Sequence, residues 1–281
     1  MIFQDYLKFF EIWDAVESGL YYTIVGFYFL IFAFFLLMRF RTSKKYYWFY
    51  FSLLFLFLAV GRVFFIVYDF YAPELRLLTV RMMSDLEIVG LMMMLYRLAT
   101  FSTWMGIACL MGVFGTLILP PLAENQNSET GLKKFLRQKN NKLVLKIGLI
   151  AIPIIVGILA LTLPDALFMD PDLKVDYGLS IELITIFGYP AGRFVLNFIL
   201  LPLMVLVIPI LFVYLATKTF GVLRRSYALN AIGFFIYFSG RITQGLLESL
   251  GFPHVRAILP PLLILLSLLI IVIGNNYEQL R

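Results

Sequence analysis

Hydrophobic positions in this chain come in long unbroken runs, not in the alternating or amphipathic stripes of a water-soluble fold. Windows of about 20 apolar residues can cross a roughly 30 Å hydrocarbon layer as helices. They fall at residues 19–38, 47–68, 143–163, 194–216, 228–250 and 257–273. Residues 77–119 form one further apolar stretch with no polar loop inside it. As a single helix it would be roughly 65 Å long, too long for a simple crossing, yet nothing divides it into two.

Basic residues near short loops are retained on the cytoplasmic side, and this bias decides how 77–119 is threaded. If it crosses once, one inner loop holds Arg39, Arg41, Lys44 and Lys45. The next holds Lys133, Lys134, Arg137, Lys139, Lys142 and Lys146, and the third Lys218, Arg224 and Arg225. The opposite side receives an acidic N-terminal segment and a loop with Asp165, Asp170, Asp172, Asp176 and Glu182. The expectation is therefore an all-α, polytopic membrane helix bundle of seven transmembrane helices, N-terminus out and C-terminus in. Arg81 and Asp85, four apart near the start of its long third helix, are placed to pair. The rival is eight helices with the N-terminus inside.

Composition supports a bilayer protein. The 281 residues are 62% hydrophobic and only 14% charged, with mean hydropathy +0.92. That is more apolar surface than a core of this size can bury. Scarce charge and a single cysteine exclude a disordered chain, a disulfide scaffold and a nucleic-acid-binding module. Residues 1–18 lack a basic n-region and do not form a secretory signal. Phe3, Leu7, Phe10 and Trp13 there have the spacing of a short interfacial helix or of a lead-in to the first span.

An internal repeat follows from two matching segments. Gly61-Arg62 is followed by Asp69, Pro73 and Arg76; Gly240-Arg241 is followed by Glu248, Pro253 and Arg256. With seven helices this is a parallel 3+1+3 arrangement. Residues 19–119 form one three-helix bundle and 192–281 the other. Between them lie a basic cytoplasmic loop (120–142), a connector helix (143–163) and an acidic extracytoplasmic loop (164–191). The topology is similar to that of small sugar exporters with two three-helix bundles, and also to that of seven-helix receptors, without an alignable motif for either.

Arginines inside apolar windows cost about 2.5–3.5 kcal/mol at a helix centre and need partners, water or a route to headgroups. Arg62 and Arg241 either snorkel outward, lock helices together, or receive an anionic or zwitterionic ligand. Pairing across the repeat, Arg62 with Glu248 and Arg241 with Asp69, would satisfy all four charges. Arg97 lies deep in the third span if that helix is continuous, or else marks a break. Asn197, Asn230, Ser239, Thr243 and Gln244 are the main candidates to line a polar path, with Ser52 and Thr185. Pro153, Pro202, Pro209, Pro260 and Pro261 interrupt helices as membrane proteins tolerate or as moving helices require. The cluster from Tyr46 to Tyr50 beside Lys44 and Lys45 reads as an aromatic belt.

Catalytic chemistry is missing. His254 and Cys109 are alone of their kinds, so a His/Cys metal or haem site has no ligand set, and no cofactor is expected. There is no G-x-S-x-G, no P-loop and no metal-spaced carboxylate pair. The last span carries no lysine for a retinal Schiff base. The expectation is a non-enzymatic sensor or receptor-like protein of the plasma membrane. It would bind a small amphiphilic ligand, contact membrane lipids, and signal through a separate protein partner at the basic cytoplasmic loops. A small-solute or lipid transporter, or an accessory subunit of a larger complex, are the alternatives.

Overall fold

A chain crossing lipid must satisfy its backbone hydrogen bonds within itself, and long helices are the means available to so apolar a sequence. The computed structural model describes residues 12–76, 84–118 and 139–276. Helix α1, Ile12–Ala33, runs on as a π-helical segment, Phe34–Phe40, and a last turn to Ser43. Helix α2, Tyr46–Ile66, continues through a π segment, Val67–Tyr71, to a 3-10 turn, Pro73–Arg76. Then come α3, Asp85–Ile118, and α4, Lys139–Thr162.

A connector follows, made of a 3-10 turn at Asp165–Leu167, a short helix α5 at Pro171–Asp176, and a hairpin of β1, Thr185–Ile186, and β2, Tyr189–Pro190. A turn at Ala191–Arg193 and a π segment at Phe194–Leu200 lead into α6, Leu201–Lys218. Pro202 cannot donate to the carbonyl four residues back, which is where the helix widens. Helices α7, Gly221–Ser249, and α8, Pro253–Asn276, complete the described chain.

Six of these rods are long and apolar enough to cross a membrane: Ile12–Ser43, Tyr46–Leu75, Asp85–Leu117, Leu143–Thr162, Ala191–Lys218 and His254–Asn276. This is an integral membrane protein. The expected span at 228–250 lies in α7, whose 29 residues are long enough but more polar than the other rods.

The 77–119 stretch is one uninterrupted helix wherever it is described. Its start is set by a capping box. The Ser84 backbone N–H donates to Glu87 Oε2 at 2.7 Å, and the Glu87 N–H returns a bond to Ser84 Oγ at 3.4 Å. Residues 1–11, most of the expected N-terminal helix, lie outside the described residues. So does Arg81, and with it the expected Arg81–Asp85 pair, as does most of the 120–142 basic loop. From Ile12 the chain already belongs to α1.

Neighbours in sequence are neighbours in space. Helix α1 packs on α2, α2 on α3, α6 on α7 and α7 on α8; α3 meets α6, and α8 closes the ring against α1. Helix α4 lies outside this ring against α3. Its Ile147, Ile152, Ile155, Ile158 and Leu159 are exposed, a surface suited to lipid. Small residues allow the close seams. A Cβ on Gly233 would stand 2.6 Å from Ile271 Cγ1, and one on Gly112 would stand 2.6 Å from the Tyr50 ring.

Candidate functional site

Gly61 and Arg62 work as a unit. A Cβ on Gly61 would meet the Ala99 carbonyl at 3.1 Å, so glycine lets α2 lie against α3. One residue later an α-helix has turned by about 100°, and Arg62 faces α1 instead. Its guanidinium lies 4.3 Å from the centre of the Tyr21 ring and the residue is 6% exposed. Arg62 therefore turns into the bundle and does not reach out to headgroups. Asp69 and Glu17 lie within electrostatic reach of it, and Arg256 of α8 stands 3.9 Å from the buried Glu17 carboxylate. Two cations and two anions thus join α1, α2 and α8. His254, the chain's single histidine, packs its ring on Trp13 at 4.6 Å.

Gly240 and Arg241 repeat the device in α7. A Cβ on Gly240 would meet the Pro260 carbonyl of α8 at 3.3 Å. Arg241 borders a small, partly open cavity of about 30 Å³ between α2, α3, α6 and α7. That is room for one or two waters. Leu58, Ile107, Leu201 and Phe238 make its walls apolar; Thr103 and Tyr237 also border it, with their hydroxyls bonded to the Ala99 carbonyl and to Tyr28. The Tyr28 hydroxyl donates to Tyr237 at 3.1 Å across the ring, and both arginines lie within electrostatic reach of Tyr28.

The expected pairing across the repeat is not what forms at Arg241. Arg241 and Asp69 are not joined by a salt bridge, because Arg241 faces the cavity while Asp69 belongs with Arg62. The proposed Arg62–Glu248 pair falls on Glu248, whose side chain lies outside the described residues.

The five polar candidates are spread over other tasks. Asn197 donates to the Tyr96 hydroxyl at 2.9 Å, and Asn275 donates to Asn230 at 2.8 Å. Ser239 and Thr243 return their hydroxyls to carbonyls of their own helix, and Gln244 is half-buried. None of the five lines the cavity. Thr103, which carries no motif, does.

Two further knots hold the ends of the ring. At the connector end, Arg97 bonds Asp165 at 2.6 Å and the Leu161 carbonyl at 2.7 Å. Arg97 is therefore level with the end of α4. It is not deep in the bundle, and α3 passes it without a break. Arg193 lies 3.9 Å over the Tyr96 ring and bonds Asp170 at 3.0 Å, the Tyr68 hydroxyl at 3.2 Å and the Phe168 carbonyl.

At the opposite end, Arg39 bonds Asn276 Oδ1 at 2.7 Å and the Asn275 carbonyl at 3.1 Å, while Asn275 reaches Asn230. Arg39 is one of the basic residues that set the charge bias. The adjacent amides Asn275-Asn276 at the end of an apolar run are the signal by which this knot could be found in the sequence.

Among the described residues no three His, Cys, Asp or Glu side chains could hold a metal ion together. No protein-family profile, curated protein or solved structure matches this chain. The functional reading therefore rests on the geometry around Arg62 and Arg241.

Proposed function

We propose that the chain crosses the plasma membrane seven times, N-terminus outside and C-terminus inside. It works as a receptor-like sensor: a small amphiphile enters the ring, and a separate partner at the basic inner loops reads the resulting helix shift. The seventh crossing is α7. Its polar groups Asn230 and Tyr237 are buried in the ring, while Ile232, Phe235, Ile242 and Leu246 form an exposed stripe at helical spacing. A helix of that kind suits lipid once its neighbours cover the polar face. The direction follows from the basic loops at Arg39–Lys45 and Lys218–Arg225 sharing one side.

The observation that carries the sensor reading is Arg241 beside an otherwise apolar cavity. An arriving amphiphile must part α2, α3, α6 and α7 around this small cavity, and Arg241 at its border is the cation that an anionic or zwitterionic head would meet. The adjoining Tyr28–Tyr237 bond links α1 to α7, so a ligand that favours one arrangement of that contact shifts the ring as a whole. Thermal unfolding of the purified protein against a panel of anionic, zwitterionic and neutral single-chain amphiphiles tests this. Stabilisation by charged heads that disappears in Arg241→Gln, without solute flux in sealed vesicles, is expected. Robust flux overturns the sensor reading.

A second reading, a transporter of two parallel three-helix repeats, draws on one specific likeness. Gly61 and Gly240 each seat against a backbone carbonyl of the following rod, and each turns the next arginine elsewhere. Flux in the vesicle experiment, lost on replacing either arginine, is its expected signature.

A further inference from the structure

The hairpin before α6 ends in an unusual tip. Thr185 pairs with Pro190 and Ile186 with Tyr189, leaving Phe187 and Gly188 as a two-residue turn with φ of 52° and 83°. Both angles positive is the I′ geometry, which favours Asn, Asp or Gly at its first position. Here that position is a phenylalanine, 89% exposed. A bulky apolar side chain gains nothing in water from such a place.

Its surroundings are apolar too. The Phe187 ring lies 6.0 Å from Phe194, Tyr189 lies 5.5 Å from Phe198, and Phe194 and Phe198 stack at 5.8 Å. Phe194 and Phe198 belong to the helical stretch leading into α6, so the hairpin folds back along that rod. The same rod continues with exposed Ile199, Leu203, Leu206 and Ile210. The aromatic tip is thus continuous with a surface made for lipid. The Ile184 N–H donates to the Ala166 carbonyl at 3.0 Å, which ties the hairpin to the turn that holds Asp165, the partner of Arg97.

We infer that this hairpin is a lipid-surface anchor, with Phe187 inserted at the headgroup–acyl boundary beside α6. Interfacial aromatics occupy that level because one end of the site is apolar and the other wet. The connector then rests on the bilayer, and lipid packing at this leaflet bears on the Arg97–Asp165 contact. The inference depends on residues 191–218 being a crossing.

A spin label tests both separately. With Cys109→Ala as background, nitroxides are placed at Phe187→Cys, at Leu203→Cys on the lipid face, and at Asp172→Cys on exposed α5. Collisions with oxygen and with a water-soluble nickel chelate are compared in phosphatidylcholine–phosphatidylglycerol vesicles. Position 187 is expected to favour oxygen, as 203 does, while 172 favours nickel. Nickel access at 187 equal to that at 172 overturns the anchor, as does shielding from both reagents, which points to a protein contact. Nickel access at 203 instead overturns the crossing on which the anchor depends.

Discussion

Tyr28 and Tyr237 lie 209 residues apart in sequence, and their hydroxyls meet at 3.1 Å inside the ring. Each hydroxyl has left water, so each depends on the other. Around them, Arg62 is stacked on Tyr21 and Arg241 borders the cavity. The polar groups of the first and seventh helices are therefore coupled through one bond.

Removing one member of that bond should be felt, and removing both should cost less than the sum of the two single losses. Tyr28→Phe and Tyr237→Phe are each expected to destabilise by about 1 kcal/mol, with a coupling of about 0.6 kcal/mol in a double-mutant cycle. Thermal or denaturant unfolding in a lipid environment measures it. Strictly additive single effects would show that the two hydroxyls do not depend on one another.

Arg62 balances two acids, and its loss leaves Glu17 and Asp69 with Arg256. Arg62→Gln is expected to destabilise by about 3–5 kcal/mol, the scale for stripping one partner from buried charges. Arg62→Lys keeps the charge but loses the flat stacking on Tyr21, and should lie between that variant and the parent. An Arg62→Gln protein as stable as the parent would remove the helix-locking role.

The seam between α7 and α8 depends on Gly233. Gly233→Ala puts a methyl 2.6 Å from Ile271 Cγ1 and 3.3 Å from the Ser267 carbonyl. Overpacking of this kind destabilises by about 1–3 kcal/mol. Gly26→Ala, with nothing within 4 Å of the new atom, is the matched control. It is expected to be neutral or, at about 1 kcal/mol, stabilising through helix propensity.

Asn275 binds Asn230 through its side chain and Arg39 through its carbonyl, so the end of α8 is held from α1 and α7 together. Asn275→Ala should raise hydrogen exchange in the last turns of α8, and Arg39→Gln should do the same by freeing Asn276. If exchange at 270–276 is unchanged in both variants, this knot does not hold the helix end.

Much of this architecture is legible in the chain itself. Uninterrupted apolar runs state that the protein lives in a bilayer and where most rods lie, because only helices keep their backbone bonded there. The paired Gly-Arg segments marked two arginines that sit inside the ring of helices, and the absence of a divider in 77–119 agreed with the unbroken α3. Partner choice was not legible. In water, an apolar stripe tells which side of a helix is buried; in lipid, the outward and inward faces are both apolar, and periodicity loses that information. Only packing could decide that Arg62 turns to Tyr21, that Arg241 turns to a cavity, and that Arg97 meets Asp165 at the end of α4. Composition and run length were enough to set the class of solvent and the place of most helices. Which buried charges meet came from the packing of the rods, because a one-residue step turns a side chain by about 100° and so assigns it to a different neighbour.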